Sequence, residues 1–525
     1  MSIKKLEQMV NRGEISRRQF VKGISAMGLG AMLINPLSAS NAFAATPKKG
    51  GRFRMGLLGH TTSSTLDPAT NFNIMEQIVG RQWGSNLIEI SADGKLIPEL
   101  AMSWEGSEKA SKWVIKLREG VEFHNGKTMD AQDVIYSIQH HRSENSKSVI
   151  KSLFAPITEI KADGNHTVII KLATGNADFP WLLSDLHALI MPNGSDANSG
   201  IGTGGYMIKE YEPGIRTLGK RFPNYFKEDA AFFDEVECLN ISDKNARVNA
   251  LRSGDLDYVC QVNTKLAKLL AKDPKVEVLN YGGLIHSCFS MLTDVAPYDN
   301  NNLRLALKHA IDREQLVKTV LNGYGTVGND HPFPSSHPYY SNEIPQRKYD
   351  PEKARFYLKK AGLSDLNLEL YVSDNAFSGA VDASLLFQQS AAKAGITITP
   401  KKVPNDGYWK NVWRKKPWFG SYWTTRSSAD WILSLVYGEE STRNETNWKH
   451  PGFNKLLKEA RVETDESKRK IMYKDLQLMI RDEGGAIIPM FASFVEGLSS
   501  KVGYNKLRPD WEVDGARPHE RMWFK

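Results

Sequence analysis

The chain has 525 residues, with 68 lysines and arginines against 60 aspartates and glutamates, for a formal net charge of +8. So weak and well mixed a charge argues against nucleic acid, which demands a concentrated basic stripe. Cys238, Cys260 and Cys288 are the only cysteines, too few for a disulfide scaffold; one pair could bridge, but sequence does not give the connectivity.

In chain order, the first element is a targeting segment. "SRRQFVK" (Ser16–Lys22) has the form of a twin-arginine export motif, and an apolar run follows from Gly23 to Leu37. That run is about fifteen residues, short of the roughly 20 a membrane-spanning helix needs. "AFA" (Ala42–Ala44) then offers a small-x-small cleavage site, so residues 1–44 are expected to be a signal peptide. It carries Lys4, Lys5, Arg12, Arg17, Arg18 and Lys22 against Glu7 and Glu14, so its loss leaves a charge of about +4. No cysteine lies in or just after it and no later apolar run is long enough to span a membrane, so a soluble, exported protein without a lipid anchor is expected.

The mature part reads as mixed α/β. "GGRFRMGLL" (Gly50–Leu58) predicts an opening strand, and "KWVIKLREGVEF" (Lys112–Phe123) alternates as a half-buried one. "HNGK" turns, and Asp130 then caps a helix containing Val134, Ile135 and Ile138, with Asp133 in its first turn. His140 and His141 on that helix read as a partly exposed surface pair. Asn301–Gly323 predicts one helix closed by Asn322-Gly323. Tyr349–Gly362 predicts another, capped by Asp350, with Pro351 first, Ala354, Tyr357, Leu358 and Ala361 buried, and Gly362 ending it.

These segments carry a resemblance. Leu100–Ile138, "LAMSWEGSEKASKWVIKLREGVEFHNGKTMDAQDVIYSI", resembles the signature of the peptide/nickel class of extracellular solute-binding proteins. "GTGGY" (Gly202–Tyr206), "ALRSGDLD" (Ala250–Asp257), "LRLALKHAIDRE" (Leu303–Glu314) and "YDPEKARFYLKKAG" (Tyr349–Gly362) follow in that family's order. The resemblance implies a two-lobed, hinged fold with an extra domain: lobe I from 45–80, 202–285 and 482–525, an inserted domain at 81–201, and an opposing lobe at 286–481. It further implies a periplasmic receptor that closes over a solute and delivers it to an ABC permease, with the twin-arginine translocase as its export partner. A monomer without cofactor or metal and without enzymatic activity is expected.

The site expectations centre on "SYWTTRSSADW" (Ser421–Trp431), which neither helical nor strand periodicity explains cleanly. In the family, the loop after a tryptophan of the opposing lobe faces the ligand, and dipeptide-binding members carry an aspartate three residues beyond it. Here Arg426 stands three beyond Trp423, while Asp374 falls where those members use an arginine. The exchange implies that Arg426 receives a carboxylate through its paired donors and that Asp374 receives a cation or hydroxyls. The alternative has the two residues satisfying each other, or Arg426 pointing to solvent.

Five of the twelve tryptophans crowd between 409 and 431. Trp409 and Trp413 read as one helix's core face and Trp418 as packing, whereas Trp423 reads as a pocket wall beside Thr424, with Tyr408 opposite. On lobe I, the hydroxyl-rich loop Gly59–Pro68 offers His60 and Thr61. Gly204 could present its N–H beside Tyr206, and Phe289 lies, with His286 and Ser287, on a strand crossing between lobes. "GIGTGG" leads into a strand rather than a helix, which argues against a nucleotide site. "SVIK" and "SDN" lack the K-T-G partner of serine acyl-transfer enzymes. His286 and His337 could ligate a metal only singly. Two solute classes stay open: a peptide-like or amino-acid-derived zwitterion, and a metal chelate or carbohydrate acid. A periplasmic enzyme is a minor third.

Overall fold

Alternating apolar residues build one sheet of 11 strands. In chain order these are β1 (Arg52–Leu57), β2 (Tyr206–Glu212), β3 (Arg216–Arg221), β4 (Glu235–Asn240), β5 (Tyr258–Val259), β6 (Val276–Met291), β7 (Gly325–Val327), β8 (Asn367–Val372), β9 (Thr397–Lys402), β10 (Trp418–Thr424) and β11 (Ala486–Ser499). The computed structural model describes residues 47–363, 366–424 and 428–525. Across the sheet the order is β9-β8-β10-β6-β11-β5-β1-β4-β3-β2, with β7 joined to β11.

Two parallel triplets stand in this order, one at its start and the other just inside the antiparallel strands β3 and β2. β8 runs parallel to β9 and β10, and β1 runs parallel to β4 and β5. Between them lie β6 and β11, antiparallel and long enough to serve both halves. Residues Val276–Tyr281 pair with Ser499–Phe494 in one half, and Ile285–Ser290 pair with Ala492–Ala486 in the other. The register breaks between Tyr281 and Ile285. Each half has its own core, one around Phe53, Met55 and Phe233, the other around Phe289, Leu370 and Trp418. Two lobes joined by a pair of crossing strands result.

Glycine is required at the break. A Cβ on Gly283 would lie 1.9 Å from the carbonyl oxygen of Ala492, and one on Gly282 would press Ser336 and Pro509 at 3.1–3.3 Å. Gly283→Ala is therefore expected to destabilise the fold by about 1–3 kcal/mol, the usual cost of overpacking. Urea denaturation checks this, and an unchanged midpoint would show that the strands part without resistance.

A second sheet, of 4 antiparallel strands, is built by Ala101–Ser107, Lys112–Leu117, Thr167–Leu172 and Ile157–Ala162 and has its own core. Its helix Ala131–Arg142 starts where expected: Asp130 accepts from Gln132 N–H at 2.8 Å, and Asp133 accepts back from Asp130 N–H at 2.8 Å. This unit is tied to the first lobe by buried ions. Arg517 meets Glu99 at 2.7 Å and Glu520 at 2.6 Å, while Lys227 meets Glu89 at 2.7 Å and Glu520 at 2.6 Å. Burial alone would raise the Glu89 carboxyl, but Lys227 and Arg517 outweigh it and bring it down to about 2.

The remaining elements refine the sequence reading. Pro351–Lys360 is helical, with Asp350 accepting from Lys353 N–H at 2.9 Å. The single helix expected over 301–323 is two, Asn301–Ala310 and Arg313–Thr319, because Ile311 is extended (φ −97°, ψ 125°) and Asp312 caps the second by accepting from Gln315 N–H at 3.0 Å. A side chain that prefers capping to a helix interior breaks the run. The strand expected to reach Phe123 stops at Leu117. His141 is buried, not surface-exposed: its Nδ1 lies 2.7 Å from Ser148 Oγ, and burial lowers the imidazole to about 4. All three cysteines are free and buried.

Candidate functional site

In open sheets, ligands gather at the carboxyl ends of parallel strands, where successive chain crossings leave a crevice. Both lobes offer such ends. In the first lobe β1 ends at Leu57 and leads into the loop holding His60 and Thr61. In the second, β8, β9 and β10 end at Val372, Lys402 and Thr424 and lead into Asp374, Tyr408 and the segment holding Arg426.

His60 anchors its loop. Its Nδ1 accepts from Gly214 N–H at 3.2 Å, which leaves the proton on Nε2 to be donated to Tyr211 Oη at 3.2 Å. Burial depresses its pKa, against a smaller opposing pull from Glu76, so the ring is held neutral. Both ring nitrogens are thus spent inside the protein. Thr61 is exposed, its hydroxyl 2.9 Å from Ser63 Oγ. The loop is stapled to the following helix, Ile74–Trp83, by Ser64 Oγ donating to Glu76 Oε1 at 2.5 Å.

Other expected contacts belong to the scaffold. Gly204 N–H donates to Trp83 carbonyl at 2.8 Å, and a Cβ there would lie 2.3 Å from Gln82 carbonyl, so this glycine permits close packing. Tyr206 is fully buried and donates to His519 carbonyl at 3.1 Å. Phe289 sits in the core between Phe377 and Phe387, with ring centroids 5.8 and 5.7 Å away. Tyr408 is buried as well, and its hydroxyl donates to Gly420 carbonyl at 2.7 Å, so it fastens β10 instead of walling a pocket.

Asp374 stands exposed in the turn after β8. Trp423 is half-buried against Cys288, Ile488 and Phe491, opposite His286 on β6. Its indole Nε1 is buried and finds no acceptor among the described residues. Thr424, half-buried, closes the strand. Arg426 lies outside the described residues. His286 and His337 are both buried, and among the described residues no group of three or more His, Cys, Asp or Glu side chains is placed to hold a metal ion.

Two constellations escaped the sequence reading. Glu445, buried behind β10, accepts from Ser290 Oγ at 2.6 Å, Ser421 Oγ at 2.8 Å and Trp413 Nε1 at 2.9 Å, locking β10 against β6. Asp178, at the start of helix Phe179–Leu182 beside the four-stranded sheet, reaches the other lobe. It accepts from Ser428 Oγ at 2.7 Å and Asp430 N–H at 3.1 Å and pairs with Arg469. Ser428 in turn caps the helix Ala429–Tyr437 that follows the Arg426 segment. The one signal was the pair of serines preceding an acid in "RSSAD", a capping pattern; the distant partners leave no local trace. A groove of about 740 Å³ opens beside this clasp, lined by Trp104, Trp181, Tyr339, Glu466 and Lys470, away from β10.

The arrangement offers hydroxyls, an acid, an indole and a hinge, with no nucleophile and base in contact among the candidate residues. Groups of these kinds suit the capture of a small molecule between lobes. The described residues include no helix long and apolar enough to cross a membrane.

Comparison with known proteins agrees. Residues 95–444 match the family model for the bacterial extracellular solute-binding proteins, family 5 Middle. The glutathione-binding protein GsiB of Pectobacterium atrosepticum is 25% identical over 468 residues, covering 86% of this chain and 91% of that protein. The murein tripeptide-binding protein MppA in its unliganded open form superposes with a TM-score of 0.82 at 18% identity, covering 92% of this chain and 99% of the other. The DppA protein of Helicobacter pylori in complex with the peptide STSA gives 0.68 at 22% identity, covering 91% and 98%.

Proposed function

Because this chain belongs to the family 5 bacterial extracellular solute-binding proteins, periplasmic receptors of ABC transporters, we propose that its solute is a small peptide-like or amino-acid-derived zwitterion held between the lobes. The observation that carries this is the connection between the lobes: β6 and β11 thread both, their register breaks at Gly282–Leu284, and Thr61 and Asp374 stand exposed on strand-end loops of the two lobes. Open and closed forms of such a molecule differ by a few kcal/mol, so contacts made to both lobes shift the population toward closure.

In this reading Arg426 takes the solute's carboxylate and Asp374 its ammonium, with Trp423 and Thr424 beside them and Thr61 approaching from the first lobe. The glutathione-binding and peptide-bound relatives support the zwitterion. The three separate cores support a division into lobe I (45–80, 202–285, 482–525), inserted domain (81–201) and opposing lobe (286–481) in outline, although Trp83, Leu186, Leu189 and Met191 pack in the first lobe's core and Ile487 and Met490 in the second's. Residues 1–44 direct twin-arginine export, the mature protein works as a monomer with its permease, and no bond-making step is assigned.

Thermal shifts test the solute class. Glutathione, dipeptides, tripeptides, a nickel–histidine chelate and hexuronic acids are each added to the mature protein. A ligand at 100 times its Kd stabilises by about 2.7 kcal/mol. Stabilisation by a peptide or glutathione is expected; stabilisation by the chelate or the sugar acids alone would overturn the zwitterion.

A further inference from the structure

The sequence reading gave Trp409 and Trp413 to one helix's core face. The structure separates them. Trp413 is half-buried, with its Nε1 on Glu445, whereas Trp409 is 38% exposed. Its ring meets Tyr422, itself 44% exposed, edge to face at a centroid distance of 5.8 Å and 66° between planes. Among the described residues these are the two exposed large aromatics in ring contact with each other.

The pair is held in place from below. Tyr408, next to Trp409, is buried, and its hydroxyl reaches both Gly420 carbonyl (2.7 Å) and Tyr371 carbonyl (3.3 Å), bolting the short helix Tyr408–Asn411 to β10 and β8. Trp409 also packs edge-on against Tyr408 at 5.4 Å. Trp409 follows β9 and Tyr422 lies near the end of β10, so both stand at the carboxyl ends of the parallel triplet. Lone exposed aromatics are ordinary on protein surfaces. Two that touch, on a rigid base at a ligand-binding edge, form a platform for a third ring, since edge-to-face contact leaves ring faces free.

We propose that Trp409 and Tyr422 form a side-chain subsite that selects peptide-like solutes carrying an aromatic residue. The inference rests on the peptide reading above and names the solute class within it. Binding one further ring covers apolar area that water otherwise meets, and an aromatic contact adds to that gain.

Isothermal titration with Ala-Phe and Ala-Ala tests it. The wild-type protein is expected to bind Ala-Phe about tenfold tighter than Ala-Ala or better. In Trp409→Ala and in Tyr422→Ala that preference shrinks below about threefold, and in Trp409→Phe most of it returns. The solute-free melting curve of each variant, taken alongside, shows that the fold is kept. If both dipeptides bind with equal affinity, or the preference survives both alanine variants, the subsite is wrong while the peptide reading stands. If neither dipeptide binds while glutathione does, the subsite is likewise wrong; if glutathione also fails, the peptide reading falls and takes the subsite with it.

Discussion

Asp178→Ala is expected to destabilise the protein by about 3–5 kcal/mol, the usual loss when one member of a buried ion pair is removed. The side chains of Asp178 and Arg469 are only 1% and 5% exposed. Without the carboxylate, the Arg469 guanidinium stays buried with Tyr339 Oη, 2.6 Å away, and with the rings of Tyr339 and Tyr473, none of which neutralises it. Ser428 Oγ and Asp430 N–H also lose their acceptor, so the first turn of helix Ala429–Tyr437 is uncapped from outside. Asp178→Asn keeps the shape and one carbonyl acceptor but not the charge, and should fall between wild type and alanine. Urea titration reads the change as a lower midpoint. A loss under about 1 kcal/mol for Asp178→Ala would show that the ion pair is solvated and the two lobes meet only loosely there.

Asp178 also illustrates what a single sequence conceals. The opening strand and the caps at Asp130 and Asp350 are local events, and local chemistry announced them, whereas the helix expected to close at Asn322-Gly323 ends at Thr319. The break at Ile311–Asp312 was missed because the apolar period continues through it, while one aspartate's capping preference decides the backbone. His60, Tyr206, Phe289 and Tyr408 stand out in the sequence only by residue type and by place along the chain, in a loop, a glycine turn, a crossing strand and an aromatic cluster. Whether such a side chain turns toward solvent or core depends on partners such as Tyr211, His519, Phe377 and Gly420, up to 313 residues away. Trp409 was misplaced for the same reason: a spacing of four suggests one helical face, but the helix there is just Tyr408–Asn411, and Trp413 lies beyond it. Glu445 and Asp178 gather donors from elements that share no sequence neighbourhood.

Stability is expected to fall as pH rises from about 5 to 7, and Glu496 is the group to test. This residue lies on β11, paired with Leu279 of β6 in the first lobe's half, and is buried. Burial raises its carboxyl to about 7, even though the hydroxyls of Tyr258 and Tyr281 and the N–H of Val513 all donate to it. The charged groups around it are acidic. Glu512 raises it further, and Asp514, whose N–H meets Tyr281 Oη at 3.0 Å, is itself raised by burial. The ordinary value is 4.5. Below that, folded and unfolded chains both hold the proton and Glu496 imposes no penalty. Between 4.5 and about 7 the unfolded chain releases it while the folded one keeps it, so the stability contributed by the neutral form drains away as pH rises. At about 1.4 kcal/mol per pH unit the total is about 3 kcal/mol. Glu496→Gln cannot titrate and keeps acceptor and donor at the same place. The difference in unfolding free energy between variant and wild type, followed from pH 4.5 to 7.5, isolates Glu496 from Glu512 and Asp514, which titrate in both proteins. That difference is expected to move in the variant's favour by about 3 kcal/mol across the window. A difference that stays flat would mean that the three donors already hold the carboxylate ionised, and that the hinge strand carries a permanent charge.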